Sequence, residues 1–202
     1  EVPYKGHVLN LISLWWFDQT KHMIPNHIIR PVSNTGVLVK KCEPIMIEFV
    51  MRSYMTGSTK TSIWVNYSQG VRDYCGNQLP EGLVKNQKLP EVLITPTTKG
   101  ETDELISPAE IVAQGTMTQE EWDLCENYAR TLFAFGQRKA LEKGLILVDT
   151  KYEFGRLPDG TILLIDEVHT PDSSRYWLQH SYNERFHQGK SPENIDKDII
   201  RK

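Results

Sequence analysis

The chain has 202 residues, a formal net charge of −3, and ordinary fractions of hydrophobic (39%) and charged (24%) residues. This length suffices for a sizeable core in one large domain or two lobes. The slightly acidic balance argues against a nucleic-acid binder that relies on bulk positive charge, and no apolar run approaches the roughly 20 residues that span a bilayer. The three cysteines, Cys42, Cys75 and Cys125, lack CxxC spacing and are interpreted as reduced structural thiols.

The first predicted element is an amphipathic helix over residues 8–18. Helical spacing aligns four side chains on one face: Leu11, Leu14, Trp15 and Asp18. We expect the tryptophans of this segment to be buried, because a surface helix turns its apolar face toward the core.

Two strands are predicted next, over residues 37–41 and 45–52. Glu43-Pro44 is expected to separate them, because proline cannot donate to a central strand ladder. A short connection between two strands is also how several ATP-binding folds contact an adenine edge through main-chain groups.

Arg52 ends the second of these strands and is followed by Thr56, Gly57 and Ser58. A guanidinium group, a glycine turn and two hydroxyl groups can together bind an anion. A solvated arginine beside an ordinary turn explains the same pattern equally well, so the residues alone leave both readings open.

The middle of the chain is predicted to be rich in loops. Residues 64–90 contain many glycines, asparagines and prolines, and no chemistry is assigned to them. Residues 95–107 form a charged loop in which Lys99 stands close to several acidic residues. A charge run of this kind is usually only solvated.

A long helix is predicted over residues 119–143. Thr118 and Glu121 fit a capping box at its start, and Gly144 fits a glycine stop at its end. The expected buried stripe consists of Trp122, Cys125, Ala129, Leu132, Phe133, Gly136 and Ala140. This helix leads directly into the strand that begins at Leu145.

A charged hairpin follows over residues 145–168. Strand alternation places Asp149, Lys151 and Glu153 on one face of its first strand. The turn at residues 158–160 leads to a second strand, which is expected to bring Asp166 onto a face shared with Ile162 and Leu164.

If the two charged faces coincide, Glu153 and Asp166 lie close together beside Lys151. Adjacent carboxylates require a compensating cation or a shared proton, so the pattern indicates a divalent-metal site next to a phosphate-compatible lysine. A simply solvated face of the hairpin is the alternative. The polar turn that follows, residues 170–175, ends in Arg175 and favours a site, because arginine suits bidentate binding of phosphate or carboxylate.

The segments DTKYEFG (149–155) and DEVHTPDSSRYW (166–177) resemble the SAICAR synthetase (phosphoribosylaminoimidazole-succinocarboxamide synthase) family. Further segments match in the same order: Lys5-Gly6 to Trp16-Phe17, IEFVMRSYMTGS (47–58) and TPTTKGETDELIS (95–107). Several ordered motifs are far more specific than one short pattern.

The resemblance implies an α+β, two-lobed fold with antiparallel sheets flanked by helices and an ATP cleft between the lobes. Residues 1–50 would be the remainder of the N-terminal lobe with the nucleotide hinge, and residues 51–202 the larger substrate- and metal-binding lobe. The implied reaction joins L-aspartate to carboxyaminoimidazole ribotide (CAIR) with ATP and Mg²⁺. Neither a nucleic acid nor a membrane is an expected partner, and the expected location is the cytoplasm, or the plastid in a plant.

The resemblance also implies roles for individual residues. Lys151 and Asp149 are the candidate catalytic residues, and Glu153 and Asp166 are the candidate magnesium ligands. The ribotide-binding set is Arg52, Ser58, Asp172, Ser174 and Arg175. The nucleotide-binding set is Lys99, Lys41, Met46, Glu153 and Asp166, in which Lys41 to Met46 is the candidate adenine hinge.

Both ends of the sequence are expected to be truncated. Members of the family carry an N-terminal glycine and lysine loop over the ATP phosphates and closing C-terminal helices, and residues 198–202 are predicted to begin a helix. A metal-dependent, kinase-like phosphotransferase and an inactive fragment of the ligase remain as alternative functions.

Overall fold

The computed structural model describes residues 2–195 and has a mixed α+β architecture. The helices are α1 (Lys5–Thr20), α2 (Ile63–Ser68), α3 (Pro108–Ala113), α4 (Gln119–Leu141) and α5 (Gln179–His187). The strands are β1 (Ile28–Pro31), β2 (Val37–Val39), β3 (Glu43–Pro44), β4 (Ile47–Tyr54), β5 (Asp73–Tyr74), β6 (Asn77–Gln78), β7 (Lys88–Ile94), β8 (Thr97–Thr98), β9 (Leu145–Arg156), β10 (Ile162–Ile165) and β11 (Ser174–Leu178). The helix expected to begin within residues 198–202 lies outside the described residues.

A seven-stranded antiparallel sheet organises the molecule around β9. This strand of 12 residues pairs with β4 and β3 along one edge and with β11 and β10 along the other. Because β10 and β11 both pair with β9, the segment between them leaves the sheet and returns to it. Each candidate site residue on β9 is therefore flanked by a neighbouring strand or by this connecting segment.

Helix α4 packs against the central sheet and anchors its core. The predicted capping box is confirmed, because Thr118 and Glu121 satisfy each other's main-chain N–H groups. A cap of this kind stabilises a helix by about 1 kcal/mol. The predicted buried stripe is also confirmed, with Phe135 as an additional member. Gly144 has a φ of 71°, the left-handed conformation expected of a glycine after a helix end.

Helix α1 is present, but the predicted face is wrong. Its buried residues are Ser13, Trp16, Phe17 and Thr20, whereas Leu11 and Trp15 are 52% and 49% exposed. Only one of the two tryptophans is therefore in the core. Apolar residues occur on every side of this helix, so their spacing does not define one inward face.

The segment around Glu43 and Pro44 differs from the prediction. These residues do not merely interrupt two strands, because they form β3 and pair with Arg156 and Gly155 of β9. Proline is tolerated there because β3 is a two-residue edge strand. A Cβ atom at Gly155 would lie 3.0 Å from Cys42 Sγ and 3.1 Å from the carbonyl oxygen of Glu43, so a side chain there would require these neighbours to shift.

The region from residue 63 to residue 107 contains more regular structure than expected. Its helix, its small hairpin and β7 enclose a second hydrophobic cluster that includes Met55, Ile63 and Tyr67. The short strand β8 pairs with β4 and holds the start of the charged loop against the sheet. Within residues 2–195, no helix is both long enough and apolar enough to cross a membrane.

Candidate active site

A row of three charged side chains crosses the central sheet near the middle of β9. Asp149 pairs with Arg52 of β4 on one side and with Arg175 of β11 on the other. Directly opposed residues in antiparallel strands carry their side chains on the same face. Two guanidinium groups therefore flank one carboxylate, and we call Arg52, Asp149 and Arg175 the arginine row.

The arginine row is largely withdrawn from solvent. Arg175 Nη1 donates a hydrogen bond to Asp149 Oδ2, and Arg52 Nη1 lies 3.7 Å from the same oxygen. Arg52 and Asp149 are 7% and 8% exposed. Arg52 Nε also donates to Thr95 Oγ1 at 2.9 Å, and its Nη2 donates to the carbonyl of Thr61 at 3.4 Å. Two guanidinium groups beside one carboxylate leave an excess positive charge that suits a further anion.

A second group of charges lies farther along the same face of β9. Lys151 Nζ donates to Glu48 Oε1 at 2.5 Å and to Glu153 Oε1 at 3.1 Å. Lys99 Nζ, just after β8, donates to Glu153 Oε2. We call Glu48, Lys99, Lys151 and Glu153 the lysine–glutamate cluster. Glu153 is 3% exposed, so its charge depends on both ammonium groups for compensation.

The cluster shifts the acid–base equilibria of its members. Burial acts to raise the pKa of Glu153, but the hydrogen bond from Lys99 and the charge of Lys151 outweigh burial and hold that pKa below its ordinary value. Burial likewise acts to lower the pKa of Lys151, and the carboxylates of Glu48 and Glu153 raise it above its ordinary value. Glu153 and Lys151 are therefore both charged at neutral pH.

Asp166 approaches this cluster by a route that strand alternation does not predict. Leu164 lies opposite Phe154, and both side chains are buried in the core. If Asp166 shared a face with Ile162 and Leu164, its side chain would also point into the core. The prediction that these three residues share one face is therefore wrong. The strand instead ends before Asp166, whose backbone is left-handed with a φ of 65°. Its side chain remains exposed to water, yet the surrounding protein and the charges of Glu153 and Glu167 raise its pKa to about 6.

A cavity of about 340 Å³ opens beside the arginine row. Ser58 and Arg175 both line it, together with Lys85 and the main chain around Gly57. Gly57 has a φ of 106°, which residues with a side chain rarely adopt. Two cationic side chains and a hydroxyl group at one cavity can bind a phosphate or a carboxylate.

The other two predicted substrate residues contact protein groups. Asp172 forms an ion pair with Lys5 Nζ at 2.9 Å, and the buried Ser174 Oγ lies 2.7 Å from Thr150 Oγ1. The hydrogen bond of Ser174 joins β11 to β9 at the residue before Arg175. Ser174 therefore fixes the strand start that delivers Arg175 to the cavity.

The predicted adenine hinge is connected to the lysine–glutamate cluster through Lys99. The side chains of Lys41 and Met46 are exposed. The main-chain N–H of Lys99 donates to the carbonyl of Met46 at 3.0 Å, while the side chain of Lys99 reaches Glu153. Lys99 thus connects Met46, at one end of the predicted hinge, to the carboxylate of Glu153.

The sequence patterns do not single out two residues of this site. Glu48 is 9% exposed in a strand of mainly apolar residues, and a carboxylate in such a strand is a usable signal because burial of a charge requires a partner. Lys85 lies in the region to which no chemistry is assigned. Its position at the cavity depends on long-range packing and leaves no local signal in the sequence.

The chain is similar to known proteins over its whole length. The family model for SAICAR synthetase matches residues 1–202. A chloroplastic phosphoribosylaminoimidazole-succinocarboxamide synthase from Arabidopsis thaliana is 59% identical over 201 residues, which are 99% of this chain and 49% of the relative. The synthase of that name from Legionella pneumophila (strain Paris) is 58% identical over 202 residues, which are 99% of this chain and 64% of the relative. The chain thus spans about half to two thirds of the length of these relatives.

Solved structures show the same fold. A SAICAR synthase structure matches with a TM-score of 0.82 and 30% identity, and the match covers 100% of this chain and 70% of that one. The SAICAR synthase from Saccharomyces cerevisiae, solved as a complex with SAICAR, matches with a TM-score of 0.79 and 28% identity over 100% of this chain and 78% of that one. Sequence, fold and the order of motifs all agree, and the chain belongs to the SAICAR synthetase family.

Proposed function

We propose that the protein is an ATP-dependent ligase that joins L-aspartate to CAIR, giving SAICAR, ADP and phosphate in purine biosynthesis. Membership of the SAICAR synthetase family supports this proposal, as do the names of the relatives. The yeast relative of the same fold binds SAICAR, the product of this reaction.

The observation that carries the proposal is the arrangement of charges on one face of β9. Asp149 in the arginine row and Glu153 in the lysine–glutamate cluster are four residues apart, which corresponds to about 13 Å along a strand. Lys151 lies between them on the same face. A single rigid strand can therefore hold a ribotide on one side and a nucleotide on the other, with a lysine where the two would meet.

The arginine row and its cavity form the proposed ribotide subsite. Arg175 and Ser58 line the cavity, and Arg52 is held beside Arg175 by their shared contact with Asp149. Asp172 and Ser174 hold the turn and the strand start from which Arg175 extends. The ribotide phosphate is the anion that this excess positive charge would bind.

The lysine–glutamate cluster forms the proposed nucleotide subsite, with Lys41 to Met46 as the adenine hinge. Magnesium takes oxygen ligands and is commonly held by one or two carboxylates together with substrate phosphates. Glu153 and Asp166 fit this requirement, because their charges are close enough to raise the pKa of Asp166, and a divalent cation would relieve that repulsion. When bound there, magnesium would neutralise charge on the phosphates of ATP.

Both oxygens of Glu153 contact lysines in this structure. We propose that Lys99 and Lys151 exchange these contacts for phosphate oxygens when the triphosphate enters, which frees Glu153 for the metal. Lys151 also contacts Glu48, which would remain its partner after this exchange. The ammonium groups of Lys99 and Lys151 thus lie next to the position where the phosphates of ATP would bind. Electrostatic stabilisation of this kind contributes strongly to phosphoryl transfer.

The proposed reaction has two steps. A carboxylate oxygen of CAIR forms a bond to the γ-phosphorus of ATP, and the bond from that phosphorus to the bridging oxygen breaks to release ADP. The aspartate amine then forms a bond to the acyl carbon, phosphate leaves with the former carboxylate oxygen, and the amine loses a proton. Lys151 would offset the charge of the transferring phosphoryl group, and Asp149 would orient the arginines that hold the ribotide.

The remaining parts of the proposal concern organisation. Residues 1–50 are assigned to the nucleotide-hinge lobe and residues 51–202 to the substrate- and metal-binding lobe. Strand β4 (Ile47–Tyr54) passes through this boundary, so the two parts share the central sheet. The proposed partners are CAIR, L-aspartate and ATP. The proposed location is the cytoplasm, or the plastid in a plant.

An isotope experiment with the full-length protein tests this function. With ¹⁸O in the carboxylate of CAIR, the ligase route transfers one ¹⁸O atom to the released phosphate. ADP exceeds one equivalent per enzyme only when CAIR and L-aspartate are both present, because the first step alone stops at the acyl phosphate. A kinase-like phosphotransferase would form ADP and a stable phosphorylated product without aspartate. Aspartate-independent turnover with no ¹⁸O in free phosphate would contradict the ligase proposal.

A further inference from the structure

The segment that joins β10 to β11 is anchored in the protein core at its midpoint. His169 and Thr170 are 1% and 0% exposed, whereas Asp166, at the start of the segment, and Arg175, the second residue of β11, belong to the charged face. The backbone is left-handed at both Asp166 (φ 65°) and His169 (φ 51°). Such conformations cost free energy in residues with a side chain and persist only where the surroundings hold them.

The imidazole ring of His169 is held on three sides. Its Nε2 shares a hydrogen bond with the hydroxyl group of Tyr152. Trp16 packs edge to face against it with ring centroids 4.5 Å apart, and a Cβ atom at Gly136 would lie 2.3 Å from His169 Cε1. The hydroxyl group of Tyr176 donates to the carbonyl oxygen of His169 at 2.7 Å. Burial lowers the pKa of this histidine to about 3, so the ring is neutral and only weakly basic.

Tyr152 connects this anchor to the charged face. It stands between Lys151 and Glu153 in β9, but strand alternation places its side chain on the opposite face. Tyr152 is fully buried and lies opposite Phe49 in the pairing with β4. The front of β9 therefore carries the lysine–glutamate cluster, while its back holds His169 and, through it, the segment that presents Asp166.

We propose that Tyr152 and His169 are a positioning pair. Their hydrogen bond fixes the 166–175 segment against β9 and so sets Asp166 and Arg175 relative to Lys151 and Glu153. The pair touches neither substrate nor metal, and its effect on turnover rests on the ligase function proposed above.

A comparison of two tyrosine variants of the full-length protein tests this proposal. Tyr152→Phe removes only the hydroxyl group that contacts His169. Tyr67→Phe is the matched control, because the hydroxyl group of Tyr67 is also buried and donates to the carbonyl of Pro80 at 2.8 Å, but in the second hydrophobic cluster. Both substitutions keep the ring. Tyr67→Phe is the more severe control, because the hydroxyl group of Tyr67 also accepts a hydrogen bond from the main-chain N–H of Leu83 at 3.0 Å.

Tyr152→Phe is expected to speed amide hydrogen exchange within residues 166–175. It is also expected to raise the magnesium concentration for half-maximal activity and to lower kcat by about tenfold, the effect typical of residues that orient metal ligands. Tyr67→Phe should leave these three quantities at their wild-type values. A purely structural role of Tyr152 would not change the magnesium dependence.

The proposal is overturned if Tyr152→Phe and Tyr67→Phe show the same exchange in residues 166–175 and the same magnesium dependence. Absence of SAICAR formation by the wild-type protein would instead contradict the proposed ligase function. The hydrogen-exchange comparison needs no turnover, so it decides whether the pair holds the segment in either case.

Discussion

Arg175 lies directly opposite Asp149 in the pairing of β11 with β9, and its guanidinium group donates to the buried carboxylate. The same carboxylate oxygen faces Arg52 from the other side. The arginines are separated by more than 100 residues in the sequence, and Asp149 brings them together. Asp149 thus places guanidinium groups from β4 and β11 at one anion site.

Asp149→Asn is expected to destabilise the protein and to weaken ribotide binding together. Removal of one partner from a buried ion pair typically costs about 3–5 kcal/mol, because the remaining charge has no compensation. Chemical denaturation and calorimetric titration with CAIR measure the two effects. As a control, Glu81→Gln removes the exposed carboxylate that pairs with Arg72, and should leave the free energy of unfolding nearly unchanged. Equal effects of the two substitutions would contradict a central role for Asp149.

Arg175→Lys and Arg52→Lys are expected to weaken ribotide binding by about tenfold or more and to leave ATP binding unchanged. Lysine keeps the charge but loses the planar fork that binds an anion and Asp149 at the same time. Calorimetric titration with each ligand separates the two affinities. A comparable loss of affinity for both ligands would argue against separate subsites.

Asp166→Asn and Glu153→Gln are each expected to lower turnover by at least about a hundredfold, the scale observed for loss of a key electrostatic stabiliser. Their effects on stability should differ. Asp166 is exposed, and its raised pKa shows that its surroundings disfavour the charged form, so Asp166→Asn should fold normally. Glu153→Gln removes the shared partner of Lys99 and Lys151 and should also lower the free energy of unfolding. Steady-state kinetics and denaturation of both variants test this, and near-normal turnover in either would rule out the metal assignment.

Gly136→Ala should destabilise the protein, although alanine favours a helix interior by about 1 kcal/mol over glycine. The added Cβ atom would lie 2.3 Å from His169 Cε1, and the buried ring has little room to move. Thermal denaturation provides the measurement. A higher melting temperature in the variant would show that the ring of His169 is not closely packed against α4.

His169 should make the protein less stable as the pH falls from about 6.5. Its pKa is lowered to about 3 in the folded state and is near 6.5 in an unfolded chain, so the unfolded state binds more protons in this window. This group alone would remove about 1.4 kcal/mol of stability per pH unit below the unfolded pKa. Denaturation at pH 7 and pH 5 of wild type and His169→Asn measures the slope. An equally steep slope in the variant would assign the acid sensitivity to other groups.

Local patterns predict much of this fold. The capping box at Thr118, the buried stripe of α4, the turn before β10 and the alternation of Asp149, Lys151 and Glu153 all depend on neighbours within a few residues, and the structure contains each of them. Features that depend on register or tertiary packing were not predictable in the same way. They include the pairing of β3 with β9, the inward face of α1 and the backbone reversal at Asp166.

In the candidate site, too, local patterns predict some features, whereas others depend on strand register and packing. The alternation of β9 indicates which side chains share its charged face, but not that Arg52 and Arg175 lie on opposite sides of Asp149. That relationship requires the register of three strands, and β4 is remote in sequence from β9 and β11. Glu48 and Lys85 enter the site for the same reason, through strand pairing and loop packing that no short motif records.

The most direct test of the proposed function is detection of the product. Full-length protein is incubated with CAIR, ATP, magnesium and ¹⁵N-labelled L-aspartate, and the mixture is analysed by mass spectrometry. We expect SAICAR that carries one ¹⁵N atom, formed in amounts equal to ADP and phosphate. Arg175→Lys should form at least about tenfold less of it when CAIR is well below saturation. ATP consumption without a labelled succinocarboxamide would contradict the ligase function.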